Sequence, residues 1–117
     1  MTTQSVGNDG EPLFPMPPST EQALRVAVMS LDPAAAVRFE TEFHAAWQEA
    51  VQTDSAVPMH TFLHRWGVFV ALRRHPERAA RLAELERTVA QSGPSEAREA
   101  AAEVASLLDE AAHEVVS

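Results

Sequence analysis

Three prolines divide this chain more firmly than any other feature. Pro33, Pro58 and Pro76 each stand where one apolar helical pattern has ended and the next begins. A proline has no backbone N–H to give and its ring crowds the preceding turn, so it is expelled from helix interiors. At the first helical position the missing donor costs nothing, and there proline is welcome. Between these stops, apolar residues recur at 3- and 4-residue steps, and no strand-like alternation of any length appears. The chain is therefore expected to be all-α, a small bundle of four core helices plus a longer C-terminal helix.

The individual starts and stops support this division. Ser19 followed by Gln22 has the form of a capping box, opening a short helix through Leu24, Val28 and Leu31. Asp32 before Pro33 supplies an N-cap for the second helix. That helix carries Ala36, Phe39, Phe43, Ala46, Trp47 and Ala50 in one stripe. It fades at "QTDSAVP", where Asp54, Ser55 and Pro58 supply the break. The third helix runs from near Pro58 to His75. Pro76 opens a fourth, with Ala79, Leu82, Leu85 and Val89 inward, which ends at Gly93. Ser95 is placed to cap the fifth, where Ala97, Ala101, Val104, Leu108, Ala111 and Val115 form a thin heptad-like seam. Such a seam either lies back on the bundle or pairs with another chain.

Residues 1–18, with "GNDG" and "PLFPMPP", have no usable period and read as a disordered tail, from which Leu13, Phe14 and Met16 have the means to dock. Residues 19–93 then form the helical core and 94–117 the C-terminal helix. The N-terminus has neither a basic n-region nor an apolar h-region, and no run of apolar residues is long enough to cross a bilayer. With no cysteine there is no disulfide framework, and a cytoplasmic location is expected.

Charge narrows the partners. The net charge of −8 argues against general affinity for nucleic acid or anionic membrane. Yet from His60 to Arg81 there are five Arg and a single Glu, so one helical hairpin is basic on an otherwise acidic molecule.

That hairpin begins with the densest stretch of the chain, "MHTFLHRWGVFVALRRHP", residues 59–76. Wound at 100° per residue, Met59, Phe62, Leu63, Trp66, Phe69 and Val70 share one face, the expected core face. His60, His64, Gly67 and Ala71 form a flanking strip, and its two small residues allow another helix to approach closely. The far side holds Thr61, Arg65, Val68 and Leu72. A surface helix should be polar there, so Val68 and Leu72 call for a cover. Self-covering is the plainer expectation for Val68, and Leu72 is the better interface candidate. With the Arg73–Arg74 end, this side is the expected partner-binding surface.

Two other chemistries compete for the same stretch. His60 and His64, at i and i+4, have the spacing to share a metal, with His44 or a carboxylate of the second helix as third ligand. However, Thr61 stands where a zinc protease would place its catalytic Glu, and the plainer reading is two half-buried, hydrogen-bonded histidines. There is no Cys, no Tyr, no Gly-rich phosphate loop and no Ser in an elbow context, so neither an enzyme nor a cofactor is expected. The run "RRHPERAAR" invites a DNA-binding reading through the Arg73–Arg81 corner. Against it, Pro76 replaces the turn of a helix-turn-helix, and Glu77, Glu84 and Glu86 offset the arginines.

Residues 39–86 resemble a family of small uncharacterised actinobacterial all-α proteins. The resemblance rests on a Phe-x-x-x-[Tyr/Phe]-x-x-Ala helix, here Phe39, Phe43 and Ala46, then Leu63, His64 and Trp66, then a corner at Pro76. Some members resemble antitoxin partners of small basic toxins. The resemblance carries over no catalytic set, and an antitoxin role would fit an acidic protein facing a basic partner. The leading expectation is a non-catalytic, antitoxin-like or adaptor-like module that binds a partner protein. Self-association through the C-terminal helix is the other partnership the sequence allows.

Overall fold

The computed structural model describes residues 11–115. Five helices follow one another: α1 Glu21–Leu31, α2 Pro33–Thr53, α3 Val57–Arg73, α4 Pro76–Gln91 and α5 Pro94–Glu114. No β-strand occurs among the described residues. The protein is all-α.

The helix boundaries follow from local chemistry. Asp32 caps α2, its carboxylate accepting the Ala34 and Ala35 N–H groups at 3.1 and 3.3 Å, with Pro33 in the first turn. Pro76 and Pro94 begin α4 and α5 in the same way. Two caps differ from the sequence reading. Thr20, not Ser19, caps α1 by accepting the Ala23 N–H at 3.2 Å. Gly93, not Ser95, precedes α5, because Pro94 already occupies the first-turn position. α2 ends at Asp54 in the left-handed region (φ 53°), one of the few conformations that an Asp tolerates and most side chains avoid.

α3 is the hub. It packs against each of the other four helices, whereas the α1–α2 pair on one flank and the α4–α5 pair on the other do not touch. The result is a flat molecule, 48 × 46 × 25 Å. Its central position explains why α3 is apolar on two sides. One side joins Leu24, Val28, Ala35, Phe39, Phe62, Trp66 and Val70. There Phe39 meets the edges of Phe62 and Trp66 at centroid distances of 4.9 and 5.2 Å. Burying side chains of this size stabilises by about 1.5–3 kcal/mol each, so this cluster anchors the α1–α2 flank. The other side joins Ala71 and Leu72 to Leu82 and Ala111, with Val68, Val104 and Leu107 around them.

This second cluster corrects one expectation outright. Leu72 is 3% exposed, sealed by α4 and α5, and is not available to a partner. It also shows how α5 sits. The inward residues are Ala97, Ala100, Val104, Leu107 and Ala111, while Ala101 and Leu108 of the expected seam face outward. The two stripes share Ala97, Val104 and Ala111 and differ by one residue in between, a rotation of the helix that periodicity alone does not resolve. Close approach is possible because the contact is made of small residues. Gly67 and Ala71 of α3 lie buried against the end of α5, and a Cβ on Gly67 would meet Val115 Cγ1 at 3.0 Å.

The expected tail divides. Its first ten residues lie outside the described residues. From Leu13 onward the segment is docked: the Leu13 N–H donates to the Arg74 carbonyl at 2.7 Å, and Phe14 and Met16 pack on the core. Val89 of α4, expected inward, is 41% exposed. Trp47 also departs, placed on the core stripe by its spacing but 56% exposed. The cause is length. α1 has 11 residues against 21 for α2. At about 1.5 Å per residue, α1 covers only the first half of its neighbour. Arg25, which pairs with Glu21 and Glu40 and lies over Phe39 and Phe43, marks the end of that cover.

Candidate functional site

Thr61, Arg65 and Val68 stand one helical turn apart along α3, and the structure keeps them together on one side. Thr61 and Arg65 are exposed and Val68 is half-buried against the second cluster. Hollows run along either side of this ridge. Between α2 and α3 lies a cleft of about 310 Å³ whose walls include Glu42, Glu49, Val57, Thr61 and Arg65. Between α3 and α5 lies a broader groove of about 530 Å³, with His64, Arg65, Val68, Ala105, Leu108 and Asp109 on its walls. Arg65 therefore forms the crest between the two.

Glu42 ties the cleft to the core. Its carboxylate accepts the indole N–H of buried Trp66 at 2.9 Å and lies 3.5 Å from the Arg65 guanidinium. The same oxygen serves both, which links Arg65 to α2 while it still walls the α5 groove. Leu108 is the largest apolar side chain left exposed on that groove.

The Arg73–Arg81 corner is a different kind of place. Arg73 lies over the Phe69 ring at 4.1 Å, and burial lowers its guanidinium pKa from the ordinary value. Arg74 donates to the Phe14 carbonyl at 3.0 Å and to Glu114 at 2.9 Å. Arg78 donates to the other Glu114 oxygen at 2.7 Å, and His75 stands 3.8 Å from the same carboxylate. Burial pushes the Glu114 carboxyl pKa up, but hydrogen bonds and charge from Arg78 and Arg74 outweigh it and hold it below the usual range. Arg81 grips Glu103 through both oxygens at 2.7 and 2.8 Å and reaches Glu84 at 2.9 Å. Three of the five arginines of the basic hairpin, Arg74, Arg78 and Arg81, are thus paired with carboxylates of α5. Of the expected partner-binding residues, Thr61, Arg65 and Val68 share a surface. Arg74 belongs to this internal clasp, Arg73 lies over the Phe69 ring, and Leu72 is buried.

His60 and His64 are exposed, not half-buried as expected. Among the described residues no three His, Asp or Glu side chains gather into a metal-holding group. No helix among them is long and apolar enough to cross a membrane.

These observations define a class: an all-α chain strung on one central helix, with grooves on its surface and several of its arginines in internal pairs. The chain belongs to the family of unknown function DUF6247, whose profile matches residues 13–112. The match begins at the docked Leu13 and takes in nearly all of α5, both outside the stretch on which the sequence resemblance rests. No curated protein and no solved structure matches the chain.

Proposed function

We propose that the protein is a non-catalytic interaction module, antitoxin-like or adaptor-like and cytoplasmic, that binds a partner protein through the ridge Thr61, Arg65 and Val68. The observation that carries this reading is the α3–α5 groove of about 530 Å³ beside that ridge, with Val68 and the exposed Leu108 on its walls. A groove between two helices, apolar at its centre and edged by Arg65 and Asp109, suits an amphipathic helix laid along it. The rival reading, DNA contact through Arg73–Arg81, calls for guanidinium groups that here are engaged with Glu114, Glu103, Glu84 and Phe69. Self-association through α5 calls for the apolar side that here covers α3 and α4.

The test is co-purification of the full chain from its native cells, comparing the wild type with a Val68→Arg, Leu108→Arg variant of unchanged helical circular dichroism. A stoichiometric partner that the variant no longer retains is the expected result. Retention of the same partner by the folded variant would overturn the groove as the binding surface.

A further inference from the structure

The uncovered half of α2 carries a second surface. Trp47 and Val51, at i and i+4, stand side by side and are 56% and 63% exposed. Beside them is a hollow of about 480 Å³ walled by Ala50, Val51, Asp54, Ser55 and Ala56. Exposed apolar residues scattered singly mean little, but an exposed Trp one turn from a Val that walls a hollow is the kind of anchor around which interfaces concentrate their energy.

Charge identifies what suits it. Residues 39–64 contain four carboxylates and no Arg or Lys. Glu40 is paired with Arg25, and Glu42 with Arg65 and Trp66. Glu49 and Asp54 have no side-chain partner among the described residues. α2 also ends here with no basic residue in its last turn, so that turn carries no cation to oppose the negative end of its dipole. A second copy of the chain would bring the same carboxylates against these, and nucleic acid or anionic lipid would bring phosphates.

We propose that the Trp47–Val51 end of α2 docks a cationic amphipathic helix of a partner protein. Aliphatic side chains of that helix cover Trp47, Val51 and the hollow, and its Arg or Lys heads reach Glu49, Asp54 and the α2 terminus. An Arg laid on the indole face would add a cation–π contact. The site lies apart from the α3–α5 groove, so the two surfaces succeed or fail separately.

The test uses the full ¹⁵N-labelled chain and a synthetic helix with Leu on one face and Arg on the other, together with a twin carrying Glu in place of Arg. The chain has two tryptophans, so its two indole N–H signals are assigned with one Trp47→Phe variant. On titration with the Arg peptide, the Trp47 indole signal shifts while that of buried Trp66 stays in place. The Glu twin produces no shift, and added salt weakens the binding. Trp47→Ser with Val51→Ser weakens it by about tenfold or more. Equal binding of the two peptides, full affinity in the double variant, or shifts confined to Val68 and Leu108 would each overturn the proposal. So would a Trp47 signal that moves with protein concentration alone while light scattering reports a dimer, since a second copy would then be the occupant.

Discussion

Removing the Glu114 carboxylate tests how α5 is fastened to α4 and to the end of α3. Its two oxygens hold Arg74 and Arg78 at 2.9 and 2.7 Å, and those side chains are only 11% and 21% exposed. Truncating one member of a buried ionic group costs about 3–5 kcal/mol, chiefly by leaving the opposite charge unpaired. The group here is incompletely buried and Glu114 lies at the negative end of α5, where a carboxylate costs about 0.3–1 kcal/mol. The net loss for Glu114→Ala is therefore about 2 kcal/mol. With a urea slope of about 1–3 kcal/mol per molar, the unfolding midpoint falls by about 1 M. Glu103→Ala, which breaks the solvent-exposed pair with Arg81, serves as the control and moves the midpoint far less. The pH dependence has a defined sign. A carboxyl held below its ordinary value stabilises the fold at pH above that value, and the contribution is lost as pH falls through the folded value. The difference between wild type and Glu114→Ala is then full near neutrality and shrinks below about pH 4. A Glu114→Ala midpoint equal to that of Glu103→Ala would refute the clasp as a structural fastening.

Leu72 and Gly67 test the packing of the second flank. Leu72→Ala empties part of the cluster formed with Leu82 and Ala111, and a loss of about 2–5 kcal/mol is expected in chemical denaturation. A surface role would leave stability nearly unchanged. Gly67→Ala sets a helix-propensity gain of about 1 kcal/mol against a Cβ that meets Val115 at 3.0 Å. The gain should appear only once Val115→Ala has made room, and a double-mutant cycle with no coupling would count against the close α3–α5 approach.

The candidate surface was only partly legible. Thr61, Arg65 and Val68 follow from the helical wheel because a single helix carries all three. The grooves beside them do not, since each needs a second helix placed by tertiary packing. Trp47 was hidden by a real regularity: its spacing from Phe43 and Ala50 fits a core stripe, and nothing local to α2 says that α1 stops short of it. Arg74 and Arg78 read as a basic corner for a similar reason. Their shared partner lies 40 and 36 residues further along the chain, beyond the reach of any local pattern.

What the sequence by itself determined is the set of helices and the burial of one of them. Proline placement, caps and 3.6-residue periodicity act within a turn or two, so they are written where they operate. α3, apolar on two sides, could only be stable if wrapped. Which helices wrap it, which of two overlapping stripes on α5 turns inward, and which charges remain for a partner were decided by the tertiary structure. Those outcomes depend on relative helix lengths and on small side chains that let distant segments meet. Such quantities belong to pairs of elements and not to any one of them.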